Sequence, residues 1–171
     1  MAYCVDASPA AGDTGEVHDT QKNPLGTIRR FSDGVEYIYL QGVASTLAGS
    51  WVTIGANHTT ALLATGASGR VAVASAAIVA DKYGWYAISG PLASTALASS
   101  NGTITSGGGQ LQVGSTAGYV QAQGSSTGAT AGDYIFGAYA YSAQPSSADD
   151  IIASVFLNRP FIAPATAVAS S

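Results

Sequence analysis

Chemistry in a chain of this kind needs convergent polar groups, so the histidines, carboxylates, serines and the single cysteine come first. His18, in EVHDT, and His58, in ANHTT, are the only histidines, and both sit in polar loop text where a solvated ring is expected. Neither belongs to an HExxH helix or a His/Asp/Glu cluster, so no zinc or iron site is expected. The carboxylates Asp13, Glu16 and Asp19 could offer oxygen ligands to calcium, but no EF-hand spacing accompanies them. Asp149 and Asp150 read as a solvated loop pair. Cys4 stands alone, which excludes an intrachain disulfide and a cysteine metal cluster. Serine look-alikes such as GSW at 49–51 and GAS at 66–68 lack a strand–elbow–helix frame. The glycine-rich stretches 64–70 and 114–119 lack the Gly-Lys-Ser/Thr ending of a phosphate loop and the helix-opening glycines of a dinucleotide fold. The expectation is a protein that is not an enzyme and carries no cofactor.

What must position such residues is a single domain. The chain has 171 residues, of which 47% are hydrophobic and only 9% charged, with 21 glycines. A typical globular chain is about 25% charged. The deficit is filled by Ala, Ser, Thr and Gly. A net charge of −4, with no basic run, argues against a nucleic-acid partner. The opening residues lack a basic segment followed by an apolar core, so no signal peptide is expected. The longest strongly apolar run, 71–80, is too short for a membrane helix, and no membrane partner is expected.

Three zones follow. Residues 1–26 mix Asp6, Pro9, Gly12, Asp13, Gly15, Asp19 and Pro24 without apolar periodicity, which predicts an extended N-terminal arm. Tyr3, Val5, Val17 and Leu25 are spaced anchors that suit contact with a neighbouring subunit, ordering repaid on contact. Residues 27–162 read as an all-β unit, a single compact β-barrel or β-sandwich. In 35–43, Val35, Tyr37 and Tyr39 share one strand face, and Glu36, Ile38 and Leu40 the other. The separator ASTLAGS predicts a hairpin-like return to the strand at 50–55. The run 71–80 could be a buried helix by its alanines, but Val71, Val73, Ile78 and Val79, with Gly69 nearby, favour strand. In KYGWYAISG, Tyr83, Trp85 and Ala87 face one way, Tyr86 and Ile88 the other.

Residues 83–132 contain no charged side chain, which is rare on a free surface and suggests burial by assembly. Within them, the alternation in GQLQVGS and YVQAQG sends Gln110, Gln112, Gln121 and Gln123 outward. The segment DYIFGAYAYSA at 133–143 continues the strand text. ADDII predicts a short helix capped by Ser147 or Asp149, followed by a last strand, SVFLNRPFI, ending at Pro160. Residues 163–171 read as a flexible tail.

DGVEYIYL at 33–40 and KYGWYAISG at 82–90, set in the longer stretches 25–54, 69–90 and 135–161, resemble small virion proteins of tailed bacteriophages. The family implied is that of capsid decoration (cement) proteins and related small head proteins. The resemblance implies a non-enzymatic structural role, docking on the major capsid protein and reinforcing contacts between capsomers. It implies a virion location after synthesis in the host cytoplasm, and sister copies as a homo-oligomer, a trimer favoured over a dimer by three-fold sites on shells. No catalytic or ligand residue comes with it. The alternative is a head-fibre or tail module binding host glycan through exposed tyrosines.

Overall fold

The computed structural model describes residues 13–98, 109–122, 133–141 and 151–163. Among them the chain is all-β. The strands are β1 (Ile28–Arg30), β2 (Glu36–Gln41), β3 (Trp51–Ile54), β4 (Thr60–Leu62), β5 (Gly69–Ala74), β6 (Tyr83–Ala98), β7 (Gly109–Val113), β8 (Val120–Ala122), β9 (Tyr134–Ala140) and β10 (Ile151–Ile162). Their order is β1-β2-β6-β8-β7-β9-β10-β5-β3-β4, and β6 also pairs with β10 and β5.

Strand β6 organises this path because its two halves have different neighbours. Its first half lies between β2 (Tyr39 opposite Trp85) and β5 (Val73 opposite Ala87). Its second half pairs with β10, Asn158 opposite Ser89 through Ile151 opposite Ala98, and touches β8 at Val120. The change falls at Gly90, where φ is +111° and an added Cβ would lie 3.0 Å from Gly34 O and Val35 Cα. Only glycine fits there. The path β6-β8-β7-β9-β10 returns to β6 and so forms a closed ring. A smaller closure joins β2 to the β3–β4 side, where Gln41 bridges Thr59 and the Thr60 hydroxyl donates to the Gln41 carbonyl at 2.9 Å.

Both faces of the β2–β6–β5 ladder are therefore dry, as near-continuous apolar strands require. Val35, Tyr37, Tyr39, Trp85, Ala87, Val71 and Val73 fall in the larger core, with Trp51, Leu111, Val155 and Leu157. Ile38, Leu40, Tyr86, Ile88, Ala72 and Ala74 form a second, smaller core with Val52 and Ile78. The face assignments expected for 35–40 and 83–88 are those observed. Phe31 and Tyr39 meet the fully buried Trp85 edge-on, with ring centroids 5.2 and 5.1 Å away. Tyr83 is half-buried and stacks on Tyr39.

Several expectations are corrected. β2 and β3 do not form a hairpin: β2 pairs with β6, and Gly49 N–H donates to Ala74 O, setting β3 beside β5. The strand expected over 71–80 stops at Ala74. The Ser75 hydroxyl turns to the carbonyls of Thr14 and Trp85, and the loop drives Ile78 into the small core. Gly42 and Gly84 make that hole: a Cβ at either would overlap Ile78. No helix opens at 151, since Ile151 and Ile152 already pair with β6; Ser147 and Asp149 lie outside the described residues. The last strand runs to Ile162, passing Pro160 through an irregularity at which Arg159 adopts φ +46°. Proline is tolerated where no ladder N–H is needed. Gln112 and Gln121 oppose each other across β7–β8 and are buried, while Gln123 lies outside the described residues. Alternation distinguishes two faces of a strand; it does not say that the polar face meets water.

Two outcomes are expected. Trp85→Ala should cost about 3–5 kcal/mol, read from the urea midpoint; an unchanged midpoint would contradict its placement between the rings of Phe31 and Tyr39. Burial also pushes the Tyr86 phenol up to about 12 and raises that of Tyr37 beside Asp33. Above about pH 10 the unfolded chain releases phenolic protons that the folded chain keeps, so stability falls as pH rises toward 12. Each such tyrosine contributes up to about 1.4 kcal/mol per pH unit. Urea titrations at pH 8 and above should show this decline, and Tyr86→Phe should make it shallower.

Candidate functional site

The segment 13–26 behaves differently from a frayed arm. His18 forms a two-way antiparallel bridge with Tyr83, at 2.8 and 2.9 Å. Lys22 N–H donates to the Tyr39 hydroxyl at 3.2 Å, and that hydroxyl lies 2.7 Å from His18 Nδ1. His18 Nε2 in turn reaches Glu16 at 3.3 Å. All three contacts are satisfied when Tyr39 donates to Nδ1 and Nε2–H donates to Glu16. His18 is thus a structural group, not a solvated loop ring. His58 is half-buried, its ring lying over Gly26, where an added Cβ would come within 2.4 Å.

The acidic residues of this segment are engaged one by one. Asp19 receives Lys82 Nζ at 2.7 Å, and that hydrogen bond holds its carboxyl below the usual range. Asp13 accepts from Gly15 N–H. Among the described residues no group of three or more His, Cys, Asp or Glu could hold a metal ion. Of the anchors Tyr3, Val5, Val17 and Leu25, Leu25 packs against the chain's own larger core and Val17 is exposed. Tyr3 and Val5 lie outside the described residues. Residues 13–26 are ordered by their own domain, because backbone bridging and the Tyr39 hydroxyl replace the missing apolar periodicity. Gly-Ser-Ser-Thr-Gly at 124–128 also has nucleophile-elbow spacing and lies outside the described residues.

The surface that stands out is aromatic, on the outer face of β9 and β10. Ala138, Ala140 and Ile135 of β9, and Val155 and Leu157 of β10, point into the core. Phe136, Tyr139, Phe156 and Phe161 are 41–49% exposed, as is Tyr141 just beyond β9. The register sets Phe156 opposite Tyr139 and Phe161 opposite Phe136. The last two rings stack, centroids 5.1 Å apart and planes 19° apart. Gly137, at φ +75°, and Arg159 mark the irregularity between these two pairs. The sequence signal was present in IFGAYAY, where small residues alternate with rings: the small ones face in. Of the strand tyrosines, Tyr37, Tyr39 and Tyr86 are buried, while Tyr139 is exposed.

Beside this face lies a cleft of about 260 Å³ lined by Ile28, Arg70, Val71, Ile88, Arg159 and Pro160. Arg159 reaches Glu36 at 3.2 Å. Fold and site together define an all-β protein with a closed strand ring and an exposed aromatic face. No protein-family model, curated protein or solved structure matches the chain. No helix among the described residues is long and apolar enough to cross a membrane.

The His18–Tyr39 contact predicts its own cost. His18→Ala should lower stability by about 1–3 kcal/mol, since the Tyr39 hydroxyl loses an acceptor in a half-dry setting. Thermal melts of this variant and of Tyr39→Phe should show similar losses, and the double variant less than their sum.

Proposed function

We propose that this chain is a non-enzymatic virion structural protein that docks on a phage capsid through the β9–β10 aromatic face and reinforces contacts between capsomers. The observation that carries the reading is that face. Exposed rings gathered on one rigid ladder are unusual on a free surface and are the residues that dominate binding energy when a partner covers them. The low charge of the chain fits the same use, because interface cores are depleted in charged groups. The resemblance of DGVEYIYL and KYGWYAISG to capsid decoration proteins supplies the partner, the major capsid protein. Many copies on one shell would add avidity, and a trimer would match its three-fold positions.

The test uses particles lacking their own copy of the protein. Phe156→Ser and Phe161→Ser should each stay within about 1 kcal/mol of wild-type stability, because both rings are half-exposed. Each should reduce occupancy at limiting concentration by at least about tenfold. Occupancy equal to wild type, or virions carrying no copies on the shell, would exclude this role. A second reading, a head-fibre or tail module binding host glycan, draws on the exposure of Tyr139 and Tyr141. A glycan array whose signal disappears with Tyr139→Ala while capsid occupancy is unaffected would favour it.

A further inference from the structure

The small core is sealed at one end and open at the other. At the Gly42 and Gly84 end, Ile78 fills the space between the strands. Along β2 and β6 in the opposite direction, the same layer ends at Glu36 and Ile88, and here the cleft opens. Its apolar lining is Ile28, Val71, Ile88 and Pro160; its charged lining is Arg70 and Arg159. Such mouths of closed sheets, apolar below with a few placed polar groups, are where small ligands bind.

The two arginines are not equivalent. Arg159 is held by Glu36 and stands on a left-handed backbone, φ +46°, within the β10 irregularity. A non-glycine residue in that conformation is costly and is found where a side chain has been re-aimed. Arg70 makes no ion pair with any described residue. It is directly opposite Phe161 in the ladder, so cleft and aromatic face share a border. Glu36 is also faced by Arg30, directly opposite it in the β1–β2 ladder, so the mouth carries a net positive charge that suits an anion. The planar fork of arginine matches a carboxylate, and the apolar lining beside it suits an organic acid better than inorganic phosphate.

We infer that the cleft bounded by Arg70 and Arg159 binds a carboxylate whose short aliphatic portion enters toward Ile28 and Ile88. As a site for a free acid it stands apart from the capsid role; as a site for a protein side chain it rests on that reading. The carboxylate arrives either as a free small acid or as an acidic side chain of a protein seated on the neighbouring aromatic face.

The experiment is a titration of the isotope-labelled full chain, following the arginine side-chain N–H resonances. The probes are sodium butyrate, butanol, inorganic phosphate and the blocked dipeptide acetyl-Leu-Glu-amide. Butyrate should produce saturable shifts of Arg70 and Arg159, and butanol none. Arg70→Gln should weaken butyrate binding by at least about tenfold. Arg70→Lys, which keeps the charge and loses the fork, should weaken it measurably, and Lys22→Gln should leave it unchanged. Binding of butyrate identifies a free acid as sufficient; binding of the dipeptide alone identifies a protein side chain. No saturable shift with either, phosphate binding tighter than both, or unaltered affinity in Arg70→Gln and Arg70→Lys would overturn the assignment.

Discussion

The pairing of Glu36–Gln41 with Tyr83–Ser89 places apolar side chains on both sides of one two-stranded ladder. A ladder of that kind cannot lie on a surface, because each face must be covered by a separate layer. The larger layer is supplied by β7, β8, β9 and β10 with the Trp51 and Leu63 region. The smaller one is closed by β3, β4, β5 and the Ile78 loop. Segment 13–26, the Gly90 bend and the cleft all occur where these two coverings meet their limits.

Legibility in the sequence followed the range of the interaction. The two faces of 35–40 and 83–88 could be read because side-chain direction in a strand is local and has period two. The partner of β2 could not, since a short glycine-containing separator reads as a turn while the competing pair with β6 is long-range. Ile78 sits in a run whose alanines suit a helix and whose β-branched residues suit a strand, and the space left at Gly42 and Gly84 explains its detour. Alternation sends Gln121 outward, yet it is fully buried. His18 follows the same rule: a polar neighbourhood in sequence does not reveal that Tyr39 and Tyr83 approach it in space.

The candidate site was legible in its parts and hidden in its arrangement. Both DYIFGAYAYSA and SVFLNRPFI read as strands, and the alternation of Ala138 and Ala140 with Tyr139 and Tyr141 carried the inside–outside distinction. Which rings become neighbours depends on the β9–β10 register, and that register shifts around Gly137 and Arg159. The arginines of the cleft come from strands about ninety positions apart, so no local motif could unite them.

The position of β10 has a consequence for how the chain is completed. This final strand pairs with β6, β9 and β5, so three edges remain open until it arrives. A nascent chain emerging from the ribosome exposes uncovered ladder groups and the inward side of β9 until about residue 162 is free. Closure is then a late event made of contacts remote in sequence, which slows folding relative to a meander of hairpins. Premature termination anywhere before β10 would yield not a smaller stable domain but an open sheet prone to edge-to-edge association. Completion of β10 thereby acts as the checkpoint for closure of this domain.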